Sequence, residues 1–218
     1  MNQVIDTILT TRLIGIIRMK LYEHPVEIMQ ALVEGGFKIL EYTLSGQGAL
    51  QAISAARAAS PDQVNIGAGT VLSPSAVADA FSAGASFIVT PVVNLKVIDA
   101  CQKYELPILC GAFTPTEIML AVESGAELVK LFPARLGGPQ YVRDLLAPFP
   151  DLHLVPTGGI SAENAGDYLK AGAAAVAIGG NLLPLELVIK QQYSEISTRA
   201  RACVQAVNQF QGNIPSRP

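Results

Sequence analysis

Eight times in 218 residues the chain alternates a short run of β-branched and apolar residues with an alanine-rich stretch of helical spacing. That alternation restricts the fold more than any other feature. A parallel neighbour strand is reached only through a crossover, and a crossover helix covers the face of the sheet it leaves. Strand cores are predicted near residues 13–18, 39–43, 64–67, 87–90, 107–109, 128–132, 153–155 and 175–178. Helices are predicted near 25–34, 49–59, 75–82, 95–104, 115–124, 139–146 and 162–170, with a last one over about 184–210. Four helices end in the same punctuation, at Gly35-Gly36, Ala83-Gly84-Ala85, Ser124-Gly125-Ala126 and Ala171-Gly172-Ala173. Glycine just past a helix end takes the left-handed conformation without steric conflict, so these four mark an internal repeat. Capping residues mark helix starts at Ser73-Pro74, at Thr114-Pro115-Thr116-Glu117 and at Ser161-Ala162-Glu163. Eight such units fit a single (β/α)8 TIM barrel, an α/β architecture that begins at about 200 residues. A doubly wound sheet is the alternative. The whole chain reads as one barrel domain, with the polar, proline-containing residues 212–218 as a loose tail.

Composition excludes several classes of partner. Half of the residues are hydrophobic and the net charge is -3, with no basic cluster, so neither nucleic acid nor an anionic membrane is an expected partner. An anionic ligand would need a local site. Three cysteines, Cys101, Cys110 and Cys203, form no CxxC pair, and the first residues lack the pattern of a secretory signal. Both features predict a cytoplasmic, reducing setting. The apolar window over 171–189 carries one charge, Glu186, and is interrupted by Gly179-Gly180-Asn181 and Pro184. It is read as a strand, a turn and a helix start in place of a membrane span. His24 and His153 are the only histidines and have no ligand-like neighbours at metal spacing, so no metal site is expected.

Chemistry is concentrated in two strands. Val129-Lys130-Leu131-Phe132-Pro133-Ala134 places one lysine in a run that otherwise reads as a buried strand. An ammonium group in apolar surroundings loses hydration, which lowers its pKa and makes a neutral amine, the nucleophile for Schiff-base chemistry with a ketone. A lysine at a strand end also snorkels into solvent with no role. The period-2 rule puts Ile39, Glu41 and Thr43 on one face of the second strand and Leu40 and Tyr42 on the other. If Leu40 and Tyr42 pack against helices, Glu41 points into the barrel. The same parity groups Leu128, Lys130 and Phe132, and pairs Ile16 with Arg18. Read blandly, Glu41 is a surface acid and Arg18 its structural partner. A buried glutamate beside a buried lysine favours function, since either alone would cost several kcal/mol. Pro156-Thr157-Gly158-Gly159-Ile160-Ser161 and Ile178-Gly179-Gly180-Asn181 follow the seventh and eighth strands, where barrels commonly bind phosphate on backbone N–H groups. Gly67-Ala68-Gly69-Thr70 begins like a dinucleotide fingerprint, but Leu72 stands where the third glycine is required.

Taken together, LEYTL around Glu41, GAGTV at 67–71, Thr90-Pro91, VKLFPA around Lys130, VPTGGIS at 155–161 and IGG at 178–180 resemble the 2-keto-3-deoxy-6-phosphogluconate / 4-hydroxy-2-oxoglutarate aldolase family. The match runs over about 14–183 with the motifs in family order. The resemblance implies a metal-independent class I aldolase without cofactor, commonly a homotrimer. By the same resemblance Lys130 forms the Schiff base with pyruvate and Glu41 shuttles protons. Thr70, Pro91, Phe132, Thr157, Gly158, Gly159, Gly180 and Asn181 would line the pocket. Two positions depart from the family pattern. Ser45 stands where some members carry a substrate-holding arginine, and Asn181 where a serine is frequent; Arg18 is the candidate to supply the missing positive charge. The implied reaction cleaves a 2-keto-4-hydroxy acid, phosphate-bearing or not, to pyruvate and an aldehyde. Two other readings use the same residues: a sugar-phosphate isomerase or synthase without a covalent lysine, and a non-catalytic phosphate-binding barrel in which Lys130 and Glu41 are only an ion pair.

Overall fold

The structure is a computed structural model that describes residues 2–210. The tail expected at 212–218 lies outside the described residues. The elements alternate as the sequence predicts: β1 (Leu13–Ile17), α2 (Pro25–Glu34), β2 (Ile39–Thr43), α3 (Ala49–Ala59), β3 (Asn65–Gly69), α4 (Pro74–Ser82) and β4 (Ile88–Val89). They continue with α5 (Leu95–Lys103), β5 (Ile108–Ala112), α6 (Pro115–Glu123), β6 (Leu128–Leu131), α7 (Gly138–Leu146), β7 (Leu154–Pro156), α8 (Ala165–Lys170) and β8 (Val176–Ile178). All eight strands are parallel, in the hydrogen-bonded order β7-β6-β5-β4-β3-β2-β1-β8. A parallel bridge between Thr157 and Ala177, and the Ala174 N–H donated to the Leu154 carbonyl at 2.9 Å, join β7 to β8 and close the ring. The sheet is therefore a (β/α)8 barrel and not a doubly wound sheet.

Three local expectations are corrected. Before β1 lies α1 (Gln3–Thr11), an element the strand–helix count did not include. The helix expected over 184–210 is two, α9 (Leu185–Ile189) and α10 (Tyr193–Asn208), separated where Gln191 takes a left-handed φ of 52°. The start expected at Ser161 comes later, because Asn164 supplies the turn: its Oδ1 accepts the Ser161 N–H at 2.9 Å and α8 begins after it. The other caps behave as read. Ser73 accepts from the Ala76 N–H, and Thr114 with Glu117 forms a reciprocal capping box, whose backbone N–H donors hold the Glu117 carboxyl below its usual range. The repeated glycine stops share one geometry. At the end of α2, Gly36 at φ 100° donates to Val33 O and Phe37 donates to Leu32 O, and the same pair of bonds recurs at Gly84, Gly125 and Gly172.

The core has two compartments, and strand parity sorts residues between them. Leu40, Tyr42, Val129 and Leu131 face outward into the large layer between sheet and helices. Ile14, Ile16, Ile39, Phe87, Leu109, Leu128 and Val155 face inward, clustered with Val4, Ile5 and Ile8 of α1. Helix α1 thus plugs the N-terminal end of the barrel. Arg12 follows it at a left-handed φ of 56° and donates to the Ala173 and Ala174 carbonyls ahead of β8. The plug excludes water from the floor beneath the interior polar groups. All three cysteines are free and buried, and burial pushes the Cys101 thiol up to about 12 and that of Cys203 up to about 11. No helix among the described residues is long and apolar enough to cross a membrane.

Ile8 is fully buried in this interior cluster. Ile8→Ala is expected to destabilise the protein by about 2–5 kcal/mol, the range for emptying a packed aliphatic site. Urea unfolding measures it. A loss below about 1 kcal/mol would show that α1 is not part of the barrel core.

Candidate active site

Glu41 and Lys130 meet inside the barrel. Their strands lie on opposite sides of the ring, and parity aims both side chains at the axis. Lys130 Nζ stands 3.5 Å from Glu41 Oε1, with the residues only 4% and 1% exposed. The lysine does not snorkel. The two groups are close enough to attract but are not joined by an aligned hydrogen bond, and Glu41 Oε1 has no hydrogen-bond partner among the described residues. At 3.5 Å and an effective dielectric of 20 the attraction is about 5 kcal/mol, while each ion loses several kcal/mol of hydration on burial. The pair is therefore not a source of stability, and one Glu41 oxygen stays buried without a hydrogen-bond partner among the described residues.

Glycines make the room. In the register, Glu41 pairs with Gly67 and Lys130 with Gly111. A Cβ on Gly67 would collide with the Phe87 ring, one on Gly69 with the Glu41 carboxylate, and one on Gly111 with the backbone of Thr90 and Pro91. Thr90, itself buried, accepts the Gly111 N–H on Oγ1 at 3.0 Å. Thr70 follows at a left-handed φ of 58°. For a β-branched residue that strain is of order 1–3 kcal/mol, and such strain clusters at binding sites. On the other side Tyr22 donates to the Ile17 and Thr43 carbonyls, tying the ends of β1 and β2 together beside Glu41. Burial pushes its phenol up.

Above the pair a cavity of about 340 Å³ opens at the C-terminal end of the strands. Of the residues expected in the site, Arg18, Phe132, Thr157, Gly158, Gly159, Gly180 and Asn181 line it. Lys130 and Glu41 are too deep to form its wall and connect to it through Phe132, whose ring centroid lies 5.8 Å from Lys130 Nζ. Thr70 and Pro91 are not part of the lining. They stand at the ends of β3 and β4, where Gly69 and Gly111 flank the buried pair. Asn181 donates to the Ile160 carbonyl at 2.9 Å and so locks the two Gly-Gly loops together. Ser45 is exposed beyond β2, its hydroxyl 3.0 Å from that of Thr43. Ile16, Arg135, Ile160, Gly179 and Leu183 also line it and were not expected there, and Arg135 is the charged one among them. Arg135 follows Lys130 by five positions on a 3-10 turn, Ala134–Leu136, and the signal for it was only the cation directly after the FPA of VKLFPA. No group of three or more metal-ligating side chains occurs among the described residues. A strand-borne lysine and glutamate at bonding range, below a cationic cavity with two glycine loops, can hold an anionic carbonyl compound with its carbonyl at an amine.

Comparison with known proteins agrees with this geometry. A family model described as KDPG and KHG aldolase matches residues 4–199. The KHG/KDPG aldolase of Escherichia coli K12 is 36% identical over 203 residues, covering 92% of this chain and 94% of its own. A solved structure described as native KDPGal superposes with a TM-score of 0.86 at 31% identity, over 92% of this chain and 96% of that one. The KDPG aldolase of Legionella pneumophila, solved with pyruvate captured as a covalent carbinolamine intermediate, gives a TM-score of 0.84 at 31% identity, over 90% of this chain and 96% of its own.

The cavity should bind a small anion. Inorganic phosphate at 100 times its Kd stabilises a one-site protein by about 2.7 kcal/mol, which for a chain of this size raises Tm by roughly 5–10 °C. Gly180 has open space beside it, so Gly180→Asp adds a negative charge to the cavity without a clash and should abolish the rise. Thermal unfolding with and without phosphate tests both; equal shifts in the two proteins would remove the anion from this cavity.

Proposed function

The chain belongs to the KDPG and KHG aldolase family, and from that premise we propose which of its residues carry out the reaction. It is a class I aldolase, a carbon–carbon lyase that cleaves a 2-keto-4-hydroxy acid to pyruvate and an aldehyde through a lysine Schiff base. The aldehyde is glyceraldehyde 3-phosphate from 2-keto-3-deoxy-6-phosphogluconate and glyoxylate from 4-hydroxy-2-oxoglutarate. The observation that carries the assignment is the buried contact at 3.5 Å between Lys130 and Glu41.

In this reading the Lys130 amine attacks the C2 ketone, and loss of water leaves an iminium. Glu41, directly or through one water, removes the C4 hydroxyl proton; the C3–C4 bond breaks and its electrons enter the iminium, releasing the aldehyde and leaving an enamine. Glu41 then returns a proton to C3, and hydrolysis frees pyruvate and the amine. The protonated imine is the electron sink, so the step calls for no organic cofactor. Phe132 walls the imine, Thr70 and Pro91 border it at the ends of β3 and β4, and Arg18, on the cavity wall past the end of β1, attracts the substrate's charge. Thr157, Gly158, Gly159, Gly180 and Asn181 form the distal anion cradle, supported by their shared cavity.

We also propose a cytoplasmic homotrimer. The three buried free thiols suit a reducing compartment, which cell fractionation would check. An apolar surface on α4–α6 suits self-association: Phe81, Leu95 and Leu120 are 47%, 45% and 42% exposed, and Phe81 stacks at 4.9 Å on Tyr104. Sedimentation velocity should give three chains per particle, and a monomer at micromolar concentration would exclude the trimer.

The covalent step is tested by treating the protein with pyruvate and borohydride in EDTA. A reduced pyruvyl adduct is expected on the peptide bearing Lys130 and absent in Lys130→Ala, an outcome that neither an isomerase nor a binding barrel produces. An adduct spread over exposed lysines such as Lys103 and Lys170 would sink the assignment.

Glu41→Gln should still form the imine but lower kcat by about 100-fold or more, the scale of losing a general acid–base group. Gly69→Ala, which drives a methyl group into the Glu41 carboxylate, should fall in the same direction while far-UV circular dichroism stays that of the parent. Exchange of pyruvate C3 protons with solvent at the wild-type rate in Glu41→Gln would remove Glu41 from proton transfer.

A further inference from the structure

Neither Lys130 nor Glu41 accounts for the charge on the cavity wall, which carries two guanidiniums, Arg18 and Arg135, and no carboxylate. Among the described residues neither guanidinium has an acidic partner. In a chain of net charge -3 with 18 acidic residues, two unpaired arginines facing one cavity leave a cationic site open to an anion. The strand order separates them. Around the closed ring β6 is followed by β7, β8 and β1, so Arg135 and Arg18 bracket a sector whose middle is the two Gly-Gly loops. Their neighbourhoods differ. Arg18 lies just past the end of β1, two residues beyond Ile16, the cross-strand partner of Glu41. Arg135 is fastened to the cradle: its backbone N–H donates to Gly158 O at 3.1 Å, and the Ala134 N–H donates to Thr157 O at 2.8 Å. A Cβ on Gly159 would come within 2.8 Å of Arg135 Cβ, so only a glycine there lets the arginine stem lie on the loop.

We propose that Arg135 is the specificity-determining residue of the distal subsite, its guanidinium binding a phosphomonoester at the far end of the keto acid. The assignment rests on the aldolase reading above and names which of that family's two substrates this chain prefers. A phosphate dianion has three oxygens to share between a planar guanidinium fork and the N–H groups of the glycine loops. Hydroxyglutarate ends one carbon earlier, at C5, in a singly charged carboxylate, so it reaches the loops less far and fills the fork less well. Ser45, which removes an arginine near the reacting end, leaves this distal contact untouched.

The test compares kcat/KM on 2-keto-3-deoxy-6-phosphogluconate and 4-hydroxy-2-oxoglutarate for the wild type, Arg135→Ala and Arg135→Lys, together with the Tm rise caused by inorganic phosphate. Arg135→Ala is expected to lose about 30-fold or more on the phosphorylated acid, mostly through KM, and much less on hydroxyglutarate. Arg135→Lys should recover only part of the loss, because a point charge does not replace the fork. The phosphate-induced rise in Tm should shrink in Arg135→Ala. Equal losses on both substrates, an unchanged ratio, or an undiminished phosphate effect in Arg135→Ala would overturn the proposal. A wild type that cleaves neither acid, yet binds phosphate in an Arg135-dependent way, would overturn the aldolase reading and leave the anion contact standing.

Discussion

A lysine and a glutamate buried together at the centre of the barrel set the terms for everything around them. Their mutual attraction does no more than offset the hydration each gives up, so stability does not explain the pair. The surroundings hold it in place. Strand ladders fix both Cα positions, Ile16 and Val155 stand beside the pair as its cross-strand partners, Ile39 and Leu128 lie one step below on the same strands, and the floor beneath is sealed by α1. The amine's stem side is thereby packed by apolar side chains, the setting in which an electrostatic contact is strongest.

The unsatisfied Glu41 oxygen and the glycines opposite the pair express the same requirement. A packed barrel interior is normally filled by layers of branched side chains. Here the layer holding the pair has Gly67, Gly69 and Gly111 where such side chains would stand, and each sits so close to a neighbour that a methyl group would collide. The volume a side chain would take is used instead by the Phe87 ring, the Glu41 carboxylate and the Thr90-Pro91 backbone, which close in around the pair. The GAGT stretch, which looked like an incomplete nucleotide fingerprint, has its explanation in this packing: both glycines face inward, one against Phe87 and one against Glu41.

Features governed by a short repeat were legible in the sequence. Period-2 parity aimed Glu41 and Lys130 inward and Leu40 and Tyr42 outward, and the helix-stop glycines marked the ends of four of the helices; both rules act within one element and need no tertiary information. What was lost depended on contacts between distant segments. Helix α1 is amphipathic, but only the barrel floor gives Val4, Ile5 and Ile8 something to pack on. The break between α9 and α10 falls at residues with no glycine or proline, where Gln191 adopts a left-handed turn and its side chain meets His24 across 167 positions of sequence. Arg135 was unreadable for the same reason: an arginine after a strand is ordinary, and its place in the cavity follows from the bonds of Ala134 and Arg135 to the next loop.

These differences fall into two classes of position, which explains why the chain departs from its family pattern where it does. Glu41 and Lys130 sit on strands, where a shift of one residue would turn either to the opposite face. Ser45, Arg135 and Asn181 stand on segments beyond the strands, on backbone that can change residue without moving the ladder. Asn181 shows how such a change is absorbed. In place of presenting a hydroxyl to the ligand, its amide spans to the Ile160 carbonyl and stiffens the two glycine loops against each other. The charge and hydrogen bonding of the loops can then change from chain to chain while the strands keep Lys130 and Glu41 aimed at one another.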